Sequence, residues 1–396
     1  MIVFDRPDLR FAAFLCALFL YALCGVPTPD NPGPVEALIG LLLVVAVGFG
    51  RGVQVLNLAS LRGWERAGAA LLLYGLSIPC IVALLSGNAF SLVLRDLIPF
   101  IFLLLPLFLY PLTAAKEKYA PLLTAGVAGV GIAFAARLLW SIFGGGRVGP
   151  GLDPFYLANA PTVMFAALIC LGLAGSALYH AVTLPSLVRA GALAAFSLPP
   201  LIAMALVMQR ATMGLVAGCL ALWLVLAFVR NPGRAIFPFL VLVAAALAGH
   251  EILGSVYQSL LQKTAQVGFN MRGQELLAVL GSISRSIPVA VFGRGWGATF
   301  ESPAVGGVAV NFTHSLLTGV LLKTGLCGLS LALLWLGTLA NLAARLVWQK
   351  PVLALALTGP LVIDVFLYAS YKSLDFGLVL LLVPLWALRR GREDSQ

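Results

Sequence analysis

Long apolar runs, separated by short polar connections, occupy almost the whole chain. A helix that crosses a bilayer needs about 20 mostly apolar residues, and twelve runs come near that length. They span 11–26, 34–50, 67–86, 97–115, 119–141, 157–179, 187–207, 212–229, 235–250, 314–344, 351–370 and 373–388. We therefore predict an all-α polytopic membrane protein with about 12 transmembrane helices, forming one transmembrane domain over 1–396.

The composition excludes a soluble fold. Hydrophobic residues make up 61% of the 396 residues and charged residues only 10%, whereas a soluble domain carries roughly a quarter charged residues. The net charge of +10 comes from basic residues placed singly or in small groups between the apolar runs. This spacing favours orientation in the membrane and contact with membrane lipid over nucleic-acid binding. The six cysteines lie within apolar runs, so no metal site and no disulfide framework is expected.

The basic residues also predict which side of the membrane each connection faces. With both termini in the cytoplasm, 15 of the 25 lysines and arginines fall in cytoplasmic segments such as 230–234 and 389–392. An excess of basic residues in short cytoplasmic loops is the usual pattern. Four of the other ten, Lys263, Arg272, Arg285 and Arg294, lie in the segment 251–313, which this topology places outside.

The segment 251–313 is the only long hydrophilic stretch, and long loops usually carry function. Within it, Leu276, Leu280, Ile283 and Ile287 fall on one face of a helix. The pattern predicts an amphipathic helix that lies on the membrane surface or caps the bundle.

Three arginines stand at predicted outer positions beside polar residues or glycines. Arg210 lies in Gln209-Arg-Ala-Thr, Arg272 opens the amphipathic segment, and Arg294 lies between Gly293 and Gly295. Glycines let backbone N–H groups approach an anion closely and arginine adds a bidentate fork, so the pattern indicates a diphosphate site. The alternative is interfacial anchoring, with ion pairs to Glu251, Glu275 or Glu301.

His314 is one of three histidines, and it directly precedes a long apolar helix at the end of the outer loop. His180 and His250 fall at a cytoplasmic and an outer helix end. We expect Thr313 to cap the helix and the helix N-terminus to favour a neutral imidazole, which can act as a general base for a hydroxyl. The alternative is a polar anchor at the interface.

The residues after His314 resemble a known signature. His314-Ser315 is followed by nine residues and then by Gly325-Leu-Cys-Gly328, which is similar to the motif of the O-antigen ligase family. That family also has a basic residue at the position of Arg210, arginines in the preceding loop, and a glycine-rich stretch resembling Phe292-Gly-Arg-Gly-Trp-Gly297. The resemblance covers about 205–330; elsewhere it is one of topology.

This resemblance implies a glycosyltransferase of the bacterial inner membrane with a periplasmic active site and no metal or cofactor. Its donor is a glycan on undecaprenyl diphosphate and its acceptor is a sugar hydroxyl of the lipid A core. His314 would activate the acceptor, and Arg210, Arg272 and Arg294 would bind the diphosphate. Two alternatives stay open: an O-antigen or exopolysaccharide polymerase using the same donor, and a polysaccharide transporter or flippase. The transporter alternative predicts broken helices and buried charges, for which only Lys323 and Asp364 qualify.

The two glycines of the motif are expected to shape helix packing. In a continuous helix from His314, Gly325 would lie on the same face about 16 Å deeper, too far to reach the same substrate atom. Gly325 and Gly328 would then let a neighbouring helix pack closely. Lys323, in the same helix, is expected to snorkel or to form a buried ion pair.

Overall fold

The computed structural model describes residues 6–27, 33–61, 63–145, 155–251, 254, 258 and 271–389. It is mostly helical, in agreement with the predicted all-α polytopic class. Within the described residues, eight helices are long and apolar enough to cross a membrane. They are Pro7–Cys24, Trp64–Leu85, Phe90–Thr113, Tyr119–Phe143, Pro161–His180, Leu184–Leu206, Arg210–Arg230 and Leu316–Gln349.

Four of the twelve predicted spans have a different form. The run 34–50 becomes two helices, Pro34–Val47 and Phe49–Val55, which meet at 77°. The runs 235–250, 351–370 and 373–388 become apolar helices shorter than 18 residues, Pro232–Ala248, Pro351–Phe366 and Leu374–Ala387. The structure thus supports eight spans, or nine with the bent pair, and the count of twelve stays a prediction.

The helices are numbered here in chain order. The first part of the chain forms α1 (Pro7–Cys24), α2 (Pro34–Val47), α3 (Phe49–Val55), α4 (Trp64–Leu85), α5 (Phe90–Leu103), α6 (Leu105–Thr113), α7 (Tyr119–Phe143), α8 (Phe155–Ala158), α9 (Pro161–His180), α10 (Leu184–Leu206), α11 (Arg210–Arg230) and α12 (Pro232–Ala248). The second part forms α13 (Arg272–Ile283), α14 (Ile287–Phe292), β1 (Phe300–Ser302), β2 (Val308–Val310), α15 (Leu316–Gln349), α16 (Pro351–Phe366) and α17 (Leu374–Ala387), with 3₁₀ turns at Leu58–Ser60, Pro303–Val305 and Ala369–Lys372.

Local sequence explains several of the helix starts. Helices α1, α2, α9, α12 and α16 begin at a proline, where the missing N–H costs nothing and the fixed φ suits the first helical position. The side chain of Asn231 accepts a hydrogen bond from the backbone N–H of Arg234 and so caps α12. Gly48, with φ +70°, separates α2 from α3.

The chain divides into two compact units. The first comprises Met1–Gly126, Asn270–Ala343 and Leu361–Gln396, and the second comprises Val127–Phe269 and Ala344–Pro360. The first unit holds the loop elements α13, α14, β1 and β2 together with the start of α15. The single transmembrane domain over 1–396 stays a prediction.

The predicted amphipathic helix is present as α13, but its buried face differs from the predicted one. Leu276 and Leu280 are exposed, and Ile287 starts the separate helix α14. The buried positions of α13 are instead Glu275, Val279, Ser282 and Ile283. The two polar side chains can be buried because each has a hydrogen-bond partner in the loop: Glu275 accepts from Ser302, and Ser282 accepts from Arg294. Val279 and Ile283 pack with Phe300, Leu321 and Leu322 in a core cluster beneath the hairpin.

β1 and β2 pair in antiparallel fashion, with Phe300 opposite Val310. This short hairpin is an addition to the predicted all-helical fold. Several basic residues used for the orientation, Arg62, Arg147, Lys263, Arg390 and Arg392, lie outside the described residues.

Candidate active site

His314 is held by the carboxylate of Glu275, a buried residue of α13. Its backbone N–H donates to Glu275 Oε2 at 3.0 Å, and its ring Nδ1 lies 3.1 Å from Glu275 Oε1. A carboxylate only accepts hydrogen bonds, so Nδ1 is the nitrogen that donates to Glu275, and whenever the ring is neutral Nε2 is the nitrogen with the lone pair. The His314 side chain is 27% exposed and that of Glu275 only 2%. The buried Glu275 therefore orients the imidazole, and part of the imidazole remains accessible at the surface.

Hydrogen bonds from its neighbours stabilise the negative charge of Glu275 in its buried position. Burial by itself would raise the pKa of this carboxyl group, but hydrogen bonds from the imidazole and the backbone N–H of His314 lower it, as do the charge of His314 and the Ser302 hydroxyl. The net pKa lies below its ordinary value of 4.5. Glu275 thus remains an acceptor for the Nδ1 proton at neutral pH.

The residues on either side of His314 are also fixed. Thr313 is fully buried and its hydroxyl donates to the carbonyl of Ser315, while Ser315 Oγ donates to the carbonyl of Val365 at the end of α16. Helix α15 begins at Leu316, so His314 precedes the helix and Thr313 does not cap it as expected. The structure orients His314 through Glu275 rather than through the helix terminus.

Helix α13 connects His314 with two of the predicted arginines. Arg272, Glu275 and Ser282 are separated by three and seven residues, a spacing that places them along one helical face. Glu275 holds His314, and Ser282 Oγ accepts from Arg294 Nη1 at 2.9 Å. The two anchor points are about 10 Å apart along the helix axis. One rigid element therefore positions His314, Arg272 and Arg294.

The two arginines of this unit have different surroundings. Arg294 is half-buried, and its Nη1 also donates to the carbonyl of Thr299 at 2.7 Å. Arg272 is half-buried with its guanidinium over the ring of Tyr368, 5.4 Å from the ring centre. Arg294 is thus bonded to α13 and Arg272 begins it. This is the helix whose Glu275 holds His314.

The glycine-rich loop between α14 and β1 does not present its N–H groups to an anion. The N–H groups of Arg294 and Gly295 donate to the carbonyls of Leu322 and Lys323, each at 2.9 Å. That of Gly297 donates to Asp96 Oδ2 at 2.7 Å. Gly293, Gly295 and Gly297 all have φ between +77° and +79°. The expected backbone anion site is therefore occupied by the protein's own acceptors, and the loop serves to fix Arg294.

Those acceptors exist because α15 is broken at Gly325. This glycine has φ +65° and ψ −166°, a conformation that is essentially restricted to glycine. A Cβ there would collide with the backbone of Val291 and Gly293. The break frees the carbonyls that the loop N–H groups bond, and Tyr74 Oη of α4 donates to a third, that of Thr324, at 2.8 Å.

The prediction of a continuous helix from His314 through Gly325 is accordingly wrong. Gly325 accommodates the glycine loop rather than a second helix. At Gly328, a Cβ would meet the side chain of Thr324 and the Tyr74 ring of α4, and a packing role for this glycine stays a prediction.

Helix α4 binds the other side of the glycine loop at a carbonyl that its internal Pro79 leaves without a helical donor. Pro79 has no N–H, so the carbonyl of Gly75 lacks its helical donor. The indole N–H of Trp296 donates to this carbonyl at 2.7 Å, and Asn88 Nδ2 donates to the carbonyls of Arg294 and Trp296. Both sides of the glycine loop are thus bonded to helices.

Lys323 forms a buried ion pair, one of its two expected roles. Its ammonium lies 2.7 Å from Asp96 Oδ2 on α5 and also donates to the carbonyl of Ala298. Both side chains are at most 5% exposed. Since Gly297 donates to the same carboxylate oxygen, the pair secures the end of the glycine loop.

Arg210 belongs to the second unit and is described separately. It begins α11 and is half-buried, after Met208 with φ +53° and the buried Gln209. Gln209 Nε2 donates to Asn159 Oδ1 at 2.5 Å. Met208 is the one non-glycine residue with positive φ in the described part of the chain, and such strain is concentrated at functional sites.

Sequence reasoning missed Glu275 as the partner of His314 and did not single out Asp96, Asn88 or Ser302. The seven-residue spacing of Glu275 and Ser282 was a signal for a polar inward face on α13. The other contacts join segments far apart in the chain, for which no local pattern exists. Within the described ranges, no group of three histidine, cysteine or acidic residues is arranged to hold a metal ion.

Comparison with known proteins adds no family assignment. No family model matches the chain, and no curated protein is significantly similar to it.

Proposed function

We propose that this chain is a membrane glycosyltransferase of the O-antigen ligase type, acting on the periplasmic side of the bacterial inner membrane. The observation that carries the proposal is the hydrogen bond of Glu275 to His314 Nδ1. A buried carboxylate that orients an accessible imidazole is the arrangement of a general base. The motif His314-Ser315…Gly325…Gly328 supports the same assignment.

In the proposed reaction, His314 Nε2 accepts the proton of a sugar hydroxyl of the lipid A core. The hydroxyl oxygen forms a bond to the anomeric carbon of the glycan, and the bond from that carbon to the undecaprenyl diphosphate oxygen breaks. Attack from the opposite face inverts the configuration. Glu275 stabilises the imidazolium that forms, as an ionised carboxylate close to it.

Arg272 and Arg294 are assigned to the diphosphate. Arg272 begins α13 and Arg294 is bonded to Ser282 of the same helix, the helix whose Glu275 holds His314. Charge that develops on a leaving diphosphate is stabilised by donors already in place. Arg210 is assigned the same role from the sequence resemblance.

A polymerase using the same donor is the first alternative, since it needs the same base and the same cations. The banding pattern of lipopolysaccharide in a deletion strain separates the two. Core-only lipopolysaccharide with glycan remaining on undecaprenyl diphosphate identifies a ligase. Core carrying a single repeat identifies a polymerase.

A transporter or flippase is the second alternative, and one observation favours it. Asp364 is buried with one carboxylate oxygen accepting from Ser370 and the other without a partner in the described part of the chain. The buried pair Asp96–Lys323 and the break at Gly325 are not evidence for transport, because both are bonded to the glycine loop. Movement of lipid-linked glycan across proteoliposomes without transfer would establish this alternative.

The catalytic assignment is tested with purified protein in detergent, given donor and acceptor. We expect His314→Gln to lower transfer roughly 10²–10⁴-fold, because an amide cannot take the proton, while donor binding is retained. Arg272→Ala should instead weaken donor binding, since it removes a charge for the diphosphate.

Two results would contradict these roles. Near-normal turnover in His314→Gln would show that His314 is only an interfacial anchor. Donor binding lost in His314→Gln but unchanged in Arg272→Ala would make His314 a diphosphate ligand rather than the base, and would remove Arg272 from the diphosphate site.

A further inference from the structure

A second lysine lies against the His314 segment. Lys372 ends the 3₁₀ turn Ala369–Lys372 between α16 and α17. Its ammonium lies 3.4 Å from the carbonyl of Asn311 and 5.8 Å from the centre of the Phe312 ring. The Phe312 ring in turn lies edge-on to the His314 ring, with 5.8 Å between centres. Phe312 therefore contacts both the ammonium and the imidazole, and Lys372 belongs to the wall of the same site.

The neighbouring side chain of Tyr371 fixes the turn that carries Lys372. Tyr371 Oη lies 3.5 Å from Thr313 Oγ1 and donates to the carbonyl of Thr313 at 3.4 Å. A Cβ at Gly319 would collide with the Tyr371 hydroxyl. The turn that carries Lys372 is thus packed against Thr313, which immediately precedes His314, and against Gly319 near the start of α15.

The charge of Lys372 is not required to neutralise Asp96. Lys323 already lies 2.7 Å from Asp96, with the N–H of Gly297 on the same oxygen. Lys372 reaches the other oxygen only at 3.4 Å. Two ammonium groups share one carboxylate, which leaves an excess positive charge at a position where Lys372 is 15% exposed. Burying such a charge is unfavourable unless an anion accompanies it.

A buried donor without an acceptor lies at the same place. Asn311 is 6% exposed, and its Nδ2 has no hydrogen-bond partner among the residues that the structure describes. Its carbonyl is the one that Lys372 contacts. A buried donor that finds no acceptor is destabilising. The excess charge and the unpaired amide both indicate that an anionic oxygen belongs here.

We propose that Lys372 binds the diphosphate of the lipid-linked donor, at the part of the wall formed by Asn311 and Phe312. The proposal rests on the proposed function, because it assigns a further binding residue to that site. Lys372 holds one phosphate as it leaves, and Arg272 and Arg294 hold the other. Selectivity for a diphosphate over a monophosphate follows, since two separated cationic groups require two anionic phosphates.

The test measures the dissociation constants of geranylgeranyl diphosphate, geranylgeranyl monophosphate and geranylgeraniol with purified full-length protein in detergent. The wild type should bind the diphosphate most tightly. Lys372→Met should weaken diphosphate binding by roughly 10-fold, the scale of one charge-assisted hydrogen bond, with a smaller effect on the monophosphate. Lys372→Arg, which keeps the charge, should retain most of the selectivity. Lys116→Met is the matched control, since Lys116 pairs with Asp8 at 2.5 Å on an exposed surface.

The outcomes separate this proposal from the proposed function. A wild type that binds diphosphate no better than the alcohol would remove the proposed function itself. Selectivity that persists unchanged in Lys372→Met, or a loss equal for all three ligands, would remove only the role of Lys372.

A measurement on the wild type covers the case in which Lys372→Met does not fold. Amine-reactive labelling at Lys372, followed by mass spectrometry, should be slowed by geranylgeranyl diphosphate and not by geranylgeraniol. Inorganic pyrophosphate should protect more weakly than the lipid diphosphate. Labelling at Lys372 that is unaffected by the lipid diphosphate would overturn the proposal.

Discussion

At the scale of single residues, Glu275 determines how His314 can act. Its two oxygens accept from the imidazole, the backbone N–H of His314 and the hydroxyl of Ser302. These three donors fix the tautomer, the ring orientation and the distance to β1 together. A histidine without such a partner can rotate and present either nitrogen. Its basic nitrogen is then not held at the position where the proton must be accepted.

We expect the Glu275 contacts to make stability depend on pH in a defined direction. Because the folded pKa of Glu275 is lowered from 4.5, its contribution is fully present above the ordinary pKa and is lost as the pH falls through the lowered value. Glu275→Gln should therefore unfold at a lower temperature than the wild type at pH 6–7, and the difference should narrow below about pH 4.5. The check is the thermal midpoint in detergent across this range.

Glu301 supplies the control for this prediction, as an exposed acid one residue before Ser302 on the same strand. Glu301→Gln should follow the wild-type curve at every pH. The same Glu275→Gln protein should also lose transfer by roughly 10²-fold. A constant stability difference at all pH values would show that the carboxylate charge is not what binds His314.

At the scale of elements, the central contact is the insertion of the glycine loop into the break of α15. Gly293 has φ +79° and ψ −168°, and Gly325 has φ +65° and ψ −166°. Each lies where a Cβ would strike the backbone around the other. The two glycines therefore form one contact, and Arg294 immediately follows one of them.

Alanine at either glycine should disrupt that contact. The backbone conformation alone costs about 1–3 kcal/mol for a residue with a side chain, and the collision adds to it. We expect Gly293→Ala and Gly325→Ala to lower the thermal midpoint and to weaken donor binding through displacement of Arg294. Gly337→Ala is the control within α15, because a Cβ there meets nothing within 4 Å, and it should be neutral or slightly stabilising. Wild-type stability and binding in Gly325→Ala would contradict the importance of the break.

At the scale of the whole molecule, three connections that the predicted topology places outside meet in the first unit. They are the residues around Asn88 and Asp96, the loop with β1 and β2, and the turn at Lys372. Their meeting agrees with a single membrane face for all three. The orientation itself remains a prediction.

Labelling of single cysteines tests that orientation. Ser302 is fully buried, so Val308, which is 61% exposed on β2, is the better position on the loop. In a background without the six native cysteines, Val308→Cys should react with an impermeant maleimide in intact spheroplasts. Gly233→Cys, at the exposed start of α12, should react only after the membrane is opened. The reverse pattern would place both termini and the loop on the opposite sides.

The sequence by itself determined the membrane class, most of the long helices, the α13 segment and His314 with its motif. These depend on hydrophobic runs and local spacing, which are properties of neighbouring residues. It did not determine the partner of His314, the break at Gly325 or the position of Lys372. Those depend on contacts between residues 28 to 276 positions apart, and on a helix that breaks because another segment supplies the donors its carbonyls need. Only the tertiary structure decides such contacts, because a buried polar group takes its partner from whichever segment packs against it.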